Sequence, residues 1–234
     1  MRTPIVTTLV AAIILFLPIL VNAQENCSQY YPMSKGTKYT LSTYDKKGTE
    51  VKQSINEIID FSESGNASRA TIQTTLKDLK KNEDFTATFH VTCEGDKITL
   101  DINDMLQKQM ESEMEGKDVT VVIEGTDPVY PNNLEVGQSL PDVRSDIKIS
   151  SGSANFNFHV YSTNRKVVGK EKVTTPAGTF DCVVITMDND IKTLLPKSGS
   201  SKSWMAEGVG MVKQEDYNKS GKLTESQVLT SFSR

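Results

Sequence analysis

The sequence predicts a mainly β fold: a strongly curved antiparallel sheet, an open or partial barrel, with one amphipathic helix covering its concave face. Three observations carry this expectation: period-two alternation of apolar residues, turn-forming clusters between the alternating segments, and one segment of helical period. A one-sided antiparallel sheet leaves an apolar face to be covered, and the helix is the natural cover.

Strands are expected near Lys38 to Tyr44, Glu50 to Phe61, Ala67 to Leu79, Asp84 to Cys93 and Lys97 to Ile102, separated by DKKG, SESGN, KKNE and EGD. Alternation is clearest in EDFTATFHVTC, where Phe85, Ala87, Phe89, Val91 and Cys93 share one parity and Thr86, Thr88, His90 and Thr92 the other. The helix is NDMLQKQMESEMEG, near residues 103–115, with Leu106, Met110 and Met114 recurring every fourth residue beside Met105. Asn103 or Asp104 is suited to cap its start and Gly116 its end. Over residues 126–142, Pro128, Pro131 and Pro141 argue against regular structure. Further strands, among them separate ones at Asn155 to Ser162 and Lys166 to Thr174, bring the meander to about eleven.

At the N-terminus, Arg2, an apolar run from Ile5 to Val21 and the small-x-small Val21-Asn22-Ala23 read as a secretory signal peptide over residues 1–23. Residues 24–234 are then one β domain, a length that buries a sizeable core. Cys27 follows closely, yet AQENC lacks the small, apolar approach of a lipobox, so a soluble mature chain is expected. No later apolar run reaches bilayer-spanning length. A net charge of −4 offers no electrostatic footprint for nucleic acid and no attraction to an anionic membrane.

Cys27, Cys93 and Cys182 give one disulfide and one spare thiol in an oxidising compartment. Cys27 with Cys93 is the preferred candidate pair, because Cys27 precedes the first strand and would clip the N-terminus to the sheet; the sequence leaves the pairing open. In VTTPAGTFDCVVI, PAG makes a hairpin turn and Cys182 shares the apolar parity of Phe180 and Val184. His90 and His159 sit on polar parities, so neither is placed to activate a buried thiol, and Cys182 reads as a structural residue. No nucleophile elbow, P-loop, zinc-protease motif or calcium loop occurs, and no cofactor or metal is expected.

CSQYYPMSKGTKY, YPNNLEVGQSLPD, NRKVVGKEKVTTPAGTFDC and WMAEGVGMVKQEDYNKSGKL together resemble the TapB-like family of secreted bacterial β proteins, over nearly the whole mature chain. The resemblance implies a curved sheet similar to the periplasmic carriers of LolA and LolB type, which hold acyl chains in a concavity beneath a lid. It carries over no catalytic residue. Gly178, Gly208 and Gly210 read as fold determinants, and Trp204 as either core or a cavity-lining residue.

The leading functional expectation is a non-enzymatic protein, secreted across the inner membrane to the periplasm or cell envelope. It binds a lipid or other apolar ligand in the concave sheet, with Met105, Leu106, Met110, Met114 and Trp204 as cavity or lid residues. The alternative is an envelope assembly protein that docks a protein partner through a sheet edge or the 126–142 loop.

Overall fold

The computed structural model describes residues 30–114, 118–193 and 195–234; the expected signal peptide, Cys27 and Gly116 lie outside them. Strands β1 (Lys38–Asp45), β2 (Glu50–Ser64), β3 (Ala67–Asp78), β4 (Glu83–Glu94) and β5 (Lys97–Asp101) lead into helix α1 (Asn103–Glu113). Then come β6 (Val119–Gly125), β7 (Val129–Pro131), β8 (Val143–Ser151), β9 (Ala154–Thr175), β10 (Gly178–Lys192), β11 (Lys197–Ala206), β12 (Gly210–Asn218) and β13 (Leu223–Ser233). All thirteen join one sheet in the order β6, β8 to β13, β1 to β5, β7, and every pairing is antiparallel.

Among the described residues thirteen strands form against about eleven expected, and two stretches depart from expectation in opposite directions. Within the proline-rich stretch, Val129–Pro131 forms a short strand against β5, with Tyr130 opposite Ile98; an edge position tolerates Pro131, which has no N–H to offer. The two strands expected at 155–162 and 166–174 are instead one bent strand, β9. Asn164 takes a positive φ of 52° there, and the register with β10 shifts on either side of Thr186, so the chain kinks without leaving the sheet.

The sheet does not close on itself, and two different elements fill the seam. β5 ends at Asp101, which frees the edge of β4 beyond it; α1 lies against this edge and against β6, on the far side of the sheet order. Gln107 Oε1 accepts the amide of Ile123 in β6 at 3.3 Å. The helix start differs from expectation: Ile102 occupies the cap without a side-chain cap bond, because the Asn103 amide is turned to Asp127 Oδ1 at 3.0 Å.

Loop residues 132–142 close the rest of the seam. Of β9, only Ala154 to Ser162 pair with β8, which leaves the second half of β9 without a strand on that edge. The loop takes that edge: Gly137 N donates to Val167 O at 2.8 Å, Val167 N to Gln138 O at 2.9 Å and Leu140 N to Arg165 O at 2.8 Å. Across the gap, Asn132 N donates to Asp96 O at 2.6 Å. Leu134 and Leu140 turn inward and are buried with Ile58, Ile72, Val91 and Ile185 in the main core.

A second cluster gathers Tyr39, Leu41, Cys182, Val184, Trp204 and Leu229. β10 therefore buries both parities, Val183 and Ile185 in the first cluster and Cys182 and Val184 in the second, which explains its uninterrupted apolar run.

Candidate binding site

Hairpin turns alternate between the two ends of the sheet. The β1–β2, β3–β4, β8–β9, β10–β11 and β12–β13 turns lie at one end, the mouth; the β2–β3, β4–β5, β9–β10 and β11–β12 turns lie at the other, the base. Loop residues Leu134 and Leu140 fill the concavity with apolar groups shared by the main core. Toward the mouth the inward parity changes character.

Polar side chains there follow one another from strand to strand on a single face. Asn189 of β10 stands opposite Ser162 of β9; on β11 and β12, Ser201 faces Asp216 and Ser203 faces Gln214. Gln214 then faces Gln227 of β13, which faces Thr43 of β1. Ser54 and Asn56 of β2 continue the row, the latter opposite Thr74 of β3. This belt shares its face with Ile185, Leu41, Ile58 and Ile72.

The belt is internally bonded. Ser162 Oγ donates to Asn189 Oδ1 at 2.7 Å, Asn189 Nδ2 to Ser201 Oγ at 2.6 Å, and Ser201 Oγ to Asp216. Ser203 Oγ donates to Gln214 Oε1 at 2.9 Å, and Gln214 Nε2 to Asp216 Oδ1 at 3.2 Å. Gln227 Nε2 donates to Thr43 Oγ1 at 3.3 Å, while Ser54 Oγ and Thr74 Oγ1 share a bond of 3.2 Å. Each hydroxyl and amide keeps further lone pairs or protons after these bonds, so a rigid, mostly uncharged hydrogen-bonding surface results.

A cavity of about 410 Å³ opens onto this surface between α1 and the mouth ends of β1 to β4. Thr43, Ser54 and Gln227 bring the belt into its wall, Leu76 and Phe85 add apolar surface, and Gln109, Ser112 and Glu113 of the helix form the opposite side. Its size and mixed lining are those of a small-ligand site. At the rim, Lys77 pairs with Asp84 at 3.1 Å. The Asp78 carboxyl is held below its ordinary range, chiefly by the Lys81 amide.

The residues singled out by sequence are not all brought together. Met105 packs against the main core, whereas Leu106, Met110 and Met114 are half-buried and none lines the mouth cavity. Trp204 belongs to the second cluster; its indole N–H donates to Glu171 Oε2 at 2.7 Å, with Lys202 and Lys213 over the ring at 4.5 and 4.7 Å. Gly178, Gly208 and Gly210 have φ values of 139°, 67° and 94°, conformations that other residues rarely adopt. Cys93 is disulfide-bonded, while its expected partner, Cys27, lies outside the described residues.

Cys182 is free and buried, on the floor of a base-end cleft of about 640 Å³. Burial pushes its thiol up to about 11, away from the thiolate a nucleophile needs. His90 Nδ1 bonds Thr71 Oγ1 at 3.2 Å, and His159 Nδ1 meets Asp146 Oδ1 at 2.5 Å, so each imidazole is engaged on its own part of the sheet. Two ion pairs border the cleft, Lys172 with Asp181 at 2.9 Å and Lys202 with Glu171 at 3.0 Å.

Among protein families, the model for DUF3108-like proteins matches residues 34–229. No curated protein matches the chain. Two solved structures share the fold, each at TM-score 0.72 and 20% identity, covering 89% of this chain and 100% of their own. One is a Bacteroides fragilis protein classed as exported, with a YmcC-like fold; the other is a Parabacteroides distasonis protein classed as a lipoprotein.

Proposed function

The chain belongs to the DUF3108-like family, and from that membership and the geometry of the mouth we propose that it is an exported binding protein of the cell envelope. Its ligand is a small amphipathic molecule, held with its polar groups on the belt and its apolar part against Leu76 and Phe85. The observation that carries this reading is the cavity itself, a 410 Å³ space where Thr43, Ser54 and Gln227 of the belt meet Leu76, Phe85 and a largely charged rim. Export is supported by the leader-like residues 1–23 and by the classing of both structural relatives. The TapB-like resemblance of the GKEKVTTPAGTFDC and WMAEGVGMVKQE blocks supports a carrier role in the same compartment.

Compared with a wholly apolar concavity, the ligand site is narrower and nearer the mouth. Leu134 and Leu140 take the space that an acyl chain would need at the base. The helix acts as one wall, presenting Gln109, Ser112 and Glu113 to the ligand, with Met105 packed against the main core.

Native mass spectrometry of protein isolated gently from its own envelope tests the proposal. A non-covalent mass, released on denaturation and lost in Gln227→Leu with the fold intact, is expected. A bare polypeptide from every preparation would overturn it in favour of the assembly role. Replacing Met110 and Met114 with glutamate is expected to loosen the helix and lower ligand retention while leaving secretion unchanged.

A further inference from the structure

The two ends of the sheet differ in charge as sharply as in packing. At the mouth, the β1–β2 turn carries Lys46 and Lys47, the β3–β4 turn Lys80 and Lys81, and the β12–β13 turn Lys219 and Lys222; Lys192 and Lys197 flank the β10–β11 turn. Every one of these lysines is exposed, and no aspartate or glutamate lies within those turns. The base turns hold no lysine and contain Asp96 and Glu207, with Lys97 and Glu94 flanking one of them.

The turn geometry keeps the lysines outward. Asp45 Oδ1 accepts the amides of Lys47 and Thr49 at 2.9 and 3.1 Å, and Asp78 Oδ1 those of Lys80 and Lys81 at 3.0 and 3.1 Å. Asn218 Oδ1 does the same for Ser220 and Lys222 at 3.0 and 3.1 Å. These acceptors sit behind the turns and bind backbone, leaving the ammonium groups in front. Among the described residues, Lys81 is the one mouth-turn lysine in an ion pair, a 3.9 Å contact with Glu83.

Exposed apolar side chains cluster on the same rim. Leu195 is 80% exposed beside Lys197, Leu79 is 45% exposed beside Lys80, and Leu223 is 38% exposed beside Lys222. Phe156 and Ile191 lie at the same end and are also exposed. Leucine tips interleaved with lysines match a lipid interface, whose headgroups attract the cations and whose acyl boundary accepts the leucines.

We propose that the mouth rim docks on an anionic phospholipid bilayer, with Leu195 and Leu79 entering the interface and the turn lysines on the headgroups. The net charge of −4 does not oppose this, because charges beyond a Debye length of about 10 Å are screened and only the rim lies close to the surface. In this pose the cavity opens toward the lipid. Docking stands apart from the ligand reading, since adsorption is read whether or not the cavity is filled.

Co-sedimentation of the mature chain with vesicles of equal phosphatidylglycerol and phosphatidylcholine, against phosphatidylcholine alone, tests it. Binding to the anionic vesicles alone, abolished by high salt, is expected. The quadruple variant K46Q/K47Q/K80Q/K81Q is expected to bind more weakly by roughly six-hundredfold, from roughly fivefold for each of the four lysines. Leu195→Ser is expected to weaken binding severalfold, and the base-end variant K170Q/K172Q to leave it unchanged. Equal binding to both vesicle types, no binding to either, or loss in the base variant alone would overturn the proposal. All the altered side chains are on the surface, and unchanged melting temperatures verify that each variant folds.

Discussion

The base and mouth halves of this molecule use the same strands for opposite purposes. At the base, β10 is apolar on both parities and the loop supplies Leu134 and Leu140 to the core. At the mouth, the same inward face carries Ser201, Gln214, Gln227 and Thr43, and a cavity opens in front of it. Stability is therefore concentrated where the seam is filled by the loop, which leaves the other end free to present polar groups.

The largest effects are expected at the base. Leu134→Ala and Leu140→Ala should each lower unfolding free energy by about 3 kcal/mol, read by denaturant titration, because each leaves a cavity in a closed core. A loss under about 0.5 kcal/mol, the range of surface changes, would mean that the loop is a loose flap and the comparison fails. Next comes Arg165, which is buried, donates from Nη1 to Pro141 O at 2.6 Å and lies over the Tyr130 ring at 4.9 Å. Arg165→Met keeps the stem and removes the bond, with an expected loss of roughly 2 kcal/mol in the same titration.

A smaller effect separates the halves by pH. Burial holds the Cys182 thiol up at about 11, against 9.0 when unperturbed, so the folded chain keeps a proton that the unfolded chain releases. Stability from this group is complete below pH 9 and falls as pH rises toward 11. Unfolding midpoints for the native chain should decline more steeply across that window than those of Cys182→Ala; parallel slopes would show the thiol to be in contact with water. Smallest of all is the expected stability change at the mouth. Ser203→Ala removes one bond of the belt and should cost about 1 kcal/mol or less.

The apolar framework was legible because alternation is local: Phe85 to Cys93 declares its inward face within a few residues. Loop closure was not, since Leu134 and Leu140 follow no period, and their value depends on the unpaired half of β9. The belt was hidden for a related reason. Each strand contributes one or two polar residues to an otherwise apolar parity, as β2 does with Ser54 and Asn56 before Ile58, and only the register lines them up. Breaks of parity near one end of successive strands are the signal that would have found it. Methionine spacing located α1 correctly, yet the same period could not distinguish a seam-filling helix from a ligand-facing one, which is why Gln109 and Ser112 were passed over.

The charge distribution teaches the same lesson. A net value averages over the chain and points away from anionic surfaces, whereas the hairpin turns are lysine-rich at one end and without lysine at the other.

Residue-resolved hydrogen exchange on protein isolated from its envelope, compared with the same protein stripped by unfolding and refolded, tests the division between the halves most directly. Loss of protection confined to the mouth ends of β1 to β4 and to α1, with Leu140 and Val167 amides unchanged, is the expected result. Changes centred on the base, or none anywhere, would contradict a ligand site at the mouth.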